Sequence, residues 1–126
     1  MSSPPEILVV EDEPVTARVL GRLLRGAGYS VTWAISCAAA RRVTRSFAVA
    51  VLDIDLGDGD GVSLAEELSA TRRVANVIFH TATLDAERHG RASRIGAVVG
   101  KSGDMQPLLS AVSKILQNPP DTQKRG

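Results

Sequence analysis

The feature that most constrains this chain is a regular alternation of short apolar runs, rich in valine and isoleucine, with longer segments of helical periodicity. Runs that are almost entirely apolar are typical of strands covered on both faces, as in a parallel sheet. The run at 30–34 alternates instead, which predicts an edge strand. We therefore predict an α/β fold with a parallel sheet between two helical layers. The predicted strands are 7–10, 30–34, 49–52, 77–79 and 97–99.

The segments between these runs carry the signals of helix ends. Pro14 is suited to the first turn of a helix, and Gly26 and Gly28 are suited to its end. Ser36 is predicted to cap a second helix that continues to Arg45. Three further helices are predicted at residues 62–70, 85–95 and 105–117, of which the middle one has the weakest apolar pattern.

Length and composition limit the chain to a few classes of protein. Its 126 residues suffice for one domain with a single core. A net charge of +1 excludes a nucleic-acid binder that works by neutralising phosphates alone. The chain has no apolar stretch of about 20 residues, so no membrane span is predicted. The single cysteine, Cys37, forms no internal disulfide, and this favours a cytoplasmic protein.

Half of the acidic residues fall in two short segments at predicted strand ends. Glu11, Asp12 and Glu13 follow the first strand, and Asp53 follows the third. Open parallel sheets bind ligands beyond the carboxyl ends of their strands, so Glu11, Asp12 and Asp53 share one pocket if the first and third strands are neighbours. Carboxylates packed that closely repel one another unless a cation joins them, and oxygen ligands suit Mg²⁺. The alternative is that they are solvated loop residues. The second segment contains Asp53, Asp55, Asp58 and Asp60.

Three residues at the ends of the later strands add to this pattern. Lys101 follows the fifth predicted strand, where its ammonium is placed to neutralise a phosphoryl oxygen. Thr81 ends the fourth strand and offers a hydroxyl donor to the same oxygen. His80 precedes it and is expected to be a buried histidine with its hydrogen bonds satisfied.

Taken in order, these pieces resemble the receiver domain of bacterial two-component response regulators. The resemblance extends from residue 7 to about residue 117 and implies a flavodoxin-like, CheY-like fold with strand order 2-1-3-4-5. Each piece alone is weak, and their order and spacing together carry the resemblance. The matching segments are residues 7–14, 51–56 with Asp60 and Gly61, 80–82, and 96–101.

The resemblance also implies a role for each site residue. Asp53 would accept a phosphoryl group from a phosphohistidine on a sensor kinase. Lys101 would pair with that group, and Thr81 would move to bond it. Positioning and charge neutralisation are what phosphoryl transfer requires. The implied Mg²⁺ ligands are Glu11, Asp12, Asp53 and the backbone carbonyl of Asp55.

Three positions depart from the pattern of the family. Gly57 and Ser102 stand where proline is common, and without a proline at 102 a cis peptide bond after Lys101 is not expected. Val98 stands where an aromatic residue often rotates inward during activation. Activation is therefore expected to act through shifts of backbone or helices.

Two other functions remain open at this point. The segment around Asp53 and Asp55 also resembles the nucleophile motif of haloacid-dehalogenase-type phosphatases, although that family supplies its acidic metal pair downstream. Alternatively, the chain is an interaction module that is never phosphorylated. Retention of the site residues favours a phosphoacceptor, which is a signalling protein and not an enzyme.

The expected organisation is an N-terminal extension at 1–5, the receiver domain at 6–117 and a flexible tail at 118–126. We expect a single-domain regulator that binds a sensor histidine kinase and a downstream protein. In a phosphorelay its partner would be a histidine phosphotransfer protein. The sequence leaves open whether the chain forms a homodimer. In the family the first helix docks the kinase. Arginines that offer a face to a partner are Arg18, Arg22 and Arg25 on that helix and Arg72, Arg73, Arg88, Arg91 and Arg94 farther along.

Overall fold

The computed structural model describes residues 3–117, and the predicted tail at 118–126 and the first two residues of the predicted extension lie outside them. Five parallel strands form one sheet in the order β2-β1-β3-β6-β7, and β4 and β5 pair as a short antiparallel hairpin. The strands are β1 (Glu6–Val10), β2 (Ser30–Ala34), β3 (Phe47–Leu52), β4 (Asp55–Leu56), β5 (Gly59–Asp60), β6 (Val74–Thr81) and β7 (Ala97–Gly100). The helices are α1 (Pro14–Gly26), α2 (Cys37–Arg42), α3 (Gly61–Ala70), α4 (Ala86–Ser93) and α5 (Gln106–Gln117).

Helices cover both faces of the sheet, which confirms the predicted doubly wound fold and its strand order. On one face α2, α3 and α4 pack over side chains such as Leu8 and Phe79. On the other face α1 and α5 pack over side chains such as Ile7 and Ile78. Alternate residues of one strand therefore enter opposite cores, as the apolar runs predicted. Within residues 3–117, none of the helices has the length and apolar character needed to cross a bilayer.

Helix α2 and strand β6 have bounds that differ from the predicted ones. Helix α2 ends at Arg42 and not at Arg45, because Val43 adopts an extended conformation and the Arg45 guanidinium instead pairs with Glu6 and Thr32. Strand β6 begins at Val74, before the predicted start at residue 77. Its second and third residues, Ala75 and Asn76, are exposed, and this interrupts the apolar run. Both errors concern segments where contacts distant in sequence outweigh the local pattern.

The β4–β5 hairpin lies between β3 and α3. Asp58 at its tip caps α2, accepting hydrogen bonds from the backbone N–H groups of Cys37 and Ala38 at 2.9 and 3.0 Å. Asp60 at its end caps α3 through the backbone N–H groups of Val62 and Ser63. The hairpin thus joins two helices to the loop that carries Asp53.

The Cys37 thiol is expected to react slowly with alkylating reagents. It is buried, and burial together with the nearby charge of Asp58 raises its pKa to about 11. Because the thiolate is the reactive form, alkylation by iodoacetamide at pH 8 should be at least about 100-fold slower in the folded chain than in guanidinium. Timed alkylation followed by intact mass measures this, and equal rates in the two conditions would contradict it.

Candidate functional site

The predicted acidic residues meet at the carboxyl edge of the sheet. Strands β1 and β3 are neighbours with Val10 opposite Leu52, so Glu11 and Asp53 leave the sheet side by side. The backbone N–H of Asp53 donates to the Val10 carbonyl at 3.1 Å, which holds the two ends together. One oxygen atom from each of Glu11, Asp12 and Asp53 lies within 4.8 Å of the others. Two segments that are distant in the sequence thus form one cluster of carboxylates.

Lys101 reaches this cluster from the other side. Its backbone N–H donates to the carbonyl of Thr81 at 2.8 Å, which fixes where the chain leaves β7. Its ammonium Nζ lies 2.8 Å from Asp53 Oδ2 and 2.8 Å from Glu11 Oε1. Burial lowers the pKa of Lys101, but hydrogen bonds to Asp53 and Glu11 outweigh this and raise the pKa overall. The lysine is therefore a fixed cation between two carboxylates.

The carboxylates differ in their exposure. Glu11 and Asp53 are buried, at 3% and 7% exposed, whereas Asp12 is exposed. Burial raises the pKa of Glu11, and hydrogen bonds from the Lys101 ammonium and the Glu13 backbone N–H partly offset it. The cluster thus has three carboxylates and one ammonium, which pairs with the two buried ones, and this leaves excess negative charge at the site. The donor set thus fits a divalent cation that prefers oxygen ligands, as Mg²⁺ does.

Asp12 is held by a backbone group that a proline would lack. The N–H of Gly57, in the turn of the hairpin, donates to Asp12 Oδ2 at 3.0 Å. The family commonly has proline at this position, and proline has no N–H. The departure noted in the sequence thus supplies a donor that orients one of the predicted metal ligands.

Asp55 points its carboxylate away from the cluster. Its backbone N–H donates to Asp53 Oδ1 at 3.2 Å, while its carboxylate pairs with the Arg88 guanidinium. Arg91 pairs with Asp60 at 3.3 Å. Arg88 and Arg91, two of the arginines predicted to offer a face to a partner, thus both bind carboxylates of the same chain. Sequence gave no signal for these pairs, since Arg88 and Asp55 are 33 residues apart.

Thr81 and His80 end β6 beside the site. Thr81 is buried, and its hydroxyl oxygen accepts a hydrogen bond from the backbone N–H of Thr83 at 3.1 Å. His80 is buried as predicted, but its Nδ1 has no hydrogen-bond partner among residues 3–117, so the expectation of satisfied hydrogen bonds is wrong at this atom. Burial and the charge of Lys101 lower the pKa of His80. Both effects favour the neutral form of the imidazole.

The other departures from the family pattern have local consequences. Val98 is half-buried and packs against the core on the α3 and α4 side. The peptide bond before Ser102 is trans, as expected for a residue other than proline. In the loop that follows, the backbone N–H of Asp104 donates to the Ser102 hydroxyl. The Asp104 carboxylate in turn accepts a hydrogen bond from the backbone N–H of Gln106 at 2.9 Å.

Trp33 lies next to the site on the edge strand. Its indole Nε1 donates to the backbone carbonyl of Glu11 at 2.7 Å. It is the only tryptophan of the chain. Its fluorescence is therefore an internal probe of the carboxylate cluster.

Known proteins similar to this chain are regulators. It is 30% identical over 117 residues to the acid tolerance regulatory protein ActR of Sinorhizobium medicae, covering 90% of this chain and 59% of ActR. It is 34% identical over 99 residues to the TorCAD operon transcriptional regulatory protein TorR of Escherichia coli K12, covering 77% of this chain and 39% of TorR. The chain thus spans about half the length of these curated relatives. The expected single-domain organisation stays a prediction.

Solved structures resemble the fold over nearly the whole chain. The non-phosphorylated HemR receiver domain of Leptospira biflexa matches with a TM-score of 0.83 and 28% identity, covering 91% of this chain and 96% of that one. The response regulator TrrA of Thermotoga maritima, solved in complex with Mg²⁺-BeF, matches with a TM-score of 0.79 and 26% identity, covering 88% and 98%. The sequence model of the response regulator receiver domain matches residues 7–113. By this match and by its fold, the chain belongs to the receiver domain family of two-component response regulators.

Proposed function

We propose that Asp53 accepts a phosphoryl group from a phosphohistidine of a sensor histidine kinase. A carboxylate oxygen of Asp53 forms the new bond to phosphorus as the bond between phosphorus and the donor imidazole breaks. The observation that carries this proposal is the cluster of Glu11, Asp12 and Asp53, in which the Lys101 ammonium pairs with both Glu11 and Asp53. The chain is in this view a phosphoacceptor in signalling and not an enzyme with turnover.

Each residue of the site has a distinct task in this proposal. The backbone N–H of Asp55 and the ammonium of Lys101 hold the two oxygens of Asp53 in place, at 3.2 and 2.8 Å. Lys101 and the Thr81 hydroxyl then stabilise the transferred group. Glu11, Asp12, Asp53 and the Asp55 carbonyl would hold Mg²⁺, which when bound supplies positive charge to the phosphoryl oxygens.

A small phosphodonor tests the proposal directly. With acetyl phosphate and Mg²⁺ the chain should gain the mass of one phosphoryl group, sensitive to hydroxylamine as an acyl phosphate is. Asp53→Asn should abolish the gain, because no other carboxylate of the cluster receives the same two hydrogen bonds. Asp58→Asn, which alters the cap of α2, is the matched control and should retain the gain.

The alternatives predict different outcomes in the same assay. A module that is never phosphorylated gains no mass in the wild-type chain. A phosphatase of the haloacid-dehalogenase type releases phosphate from small phosphoesters over many turnovers. Stable incorporation of one group that depends on Asp53 excludes both.

We further propose that α1 carries the contact with the kinase or with a histidine phosphotransfer protein, in a cytoplasmic setting. Val15, Val19 and Leu23 lie four residues apart on this helix and are 60%, 43% and 39% exposed. Arg18 and Arg22 lie beside them. An apolar stripe with an adjacent basic row fits an amphipathic, acidic helical surface. Output then passes to a downstream protein by contact or by onward phosphotransfer.

A further inference from the structure

Arg88 joins α4 to the segment that directly follows Asp53. Its Nη2 donates to the Ile54 carbonyl at 2.8 Å and lies 3.3 Å from Asp60 Oδ1. Its Nη1 pairs with Asp55 Oδ1. The side chain is only 24% exposed. One planar guanidinium thus binds both strands of the hairpin and a backbone carbonyl, a geometry that the fork of arginine allows and lysine does not.

The position of these partners places Arg88 close to the chemistry. Asp55 donates its backbone N–H to Asp53 Oδ1 and pairs through its carboxylate with Arg88, so one residue links Arg88 to Asp53. The Asp55 carboxylate belongs to the outer side and not to the cluster formed by Glu11, Asp12 and Asp53. Without the guanidinium it would be a fourth negative charge beside that cluster. Such a charge attracts cations and repels anionic donors.

We propose that Arg88 is a positioning residue that acts through Asp55: it holds and neutralises that carboxylate so that an anionic phosphodonor can approach Asp53. The proposal rests on the proposed phosphoacceptor function. Arg91 offers the matched comparison, because it lies one turn later on α4 and also pairs with Asp60 but has no hydrogen bond to Ile54 or Asp55. Arg88 and Arg91 therefore differ in the contact that the proposal invokes.

Two measurements with opposite expected signs test the role of Arg88. Mg²⁺ alone is titrated by Trp33 fluorescence, and uptake of a phosphoryl group from acetyl phosphate is followed by intact mass at saturating Mg²⁺. In Arg88→Ala the Mg²⁺ affinity should rise about 3-fold or more, whereas the uptake rate should fall by a similar factor, since an uncompensated charge favours the cation and opposes the anion. Raising the salt concentration should reduce both effects.

Companion variants separate charge from structure. Adding Asp55→Asn to Arg88→Ala should return both quantities to within about 2-fold of the wild type, because net charge at the site is restored. Arg88→Lys, which keeps the charge, should lie near the wild type in Mg²⁺ affinity. Arg91→Ala should change neither quantity by more than about 2-fold. Far-ultraviolet circular dichroism establishes that each variant is folded.

Other outcomes overturn the assignment in distinguishable ways. A fall in both Mg²⁺ affinity and uptake in Arg88→Ala, not rescued by Asp55→Asn, indicates a merely structural role and overturns it. If Arg88→Ala binds Mg²⁺ with the affinity of the wild type, the assignment of Arg88 is overturned and the proposed function is not. A wild-type chain that takes up no phosphoryl group overturns the proposed function and this assignment together.

Discussion

Gly61→Ala should destabilise the folded chain by about 3 kcal/mol or more. An added Cβ at this position would lie 1.9 Å from the carbonyl oxygen of Asp53 and 2.9 Å from its carbon, and both are backbone atoms that cannot move aside as a flexible side chain does. The N–H of Gly61 also donates to the Ile54 carbonyl at 2.8 Å, which fixes this close approach. The substitution therefore forces the backbone at Asp53 to shift. Urea denaturation followed by circular dichroism measures the free energy of unfolding.

Gly90→Ala is the matched control for this prediction. Gly90 lies within α4, where an added Cβ meets no atom within 4 Å. Alanine has the higher helix propensity, so this variant should be more stable than the wild type by about 0.5–1 kcal/mol. If both variants changed stability by the same amount and in the same direction, the contact with Asp53 would not be the cause.

Lys101→Met should destabilise the chain by about 2–4 kcal/mol in the absence of divalent cations. The substitution keeps most of the side-chain volume but leaves the buried carboxylates of Glu11 and Asp53 without their ammonium, which lies 2.8 Å from each. Because the removed charge is a cation, the remaining carboxylates should bind Mg²⁺ more tightly. Added Mg²⁺ should therefore raise the melting temperature of Lys101→Met more than that of the wild type.

The lysine prediction is checked against an exposed lysine. Lys114 lies on the outer side of α5, and Lys114→Met should leave both stability and the response to Mg²⁺ near those of the wild type. Thermal denaturation with EDTA and with a series of Mg²⁺ concentrations gives both quantities. A melting temperature of Lys101→Met that responds to Mg²⁺ less than the wild type does would contradict the prediction.

The fold was largely predictable because its signals are local. Apolar runs such as 7–10 and 49–52 mark strands that are covered on both faces, and Pro14 and Gly28 mark the two ends of α1. The grouping of Glu11 with Asp53 was predicted on the condition that the first and third strands are neighbours, and the structure pairs β1 with β3. The position at which α2 ends was predicted wrongly. Arg45 contacts Glu6 of β1 and Thr32 of β2, and these partners come together only when the two strands pair.

The sequence by itself determined the order of strands and helices along the chain. It also determined that the carboxylates lie at the carboxyl ends of strands. Both follow from periodicity of burial and from strand ends, which are properties of neighbouring residues. Only the tertiary structure decided which partner each charged group binds. Arg88 turns inward to Asp55 across 33 residues, and Lys101 bridges Asp53 and Glu11 across the sheet. Such pairs depend on how α4 lies against the hairpin and how β7 pairs with β6 beside β3, and no local pattern encodes a distance between segments so far apart in the chain.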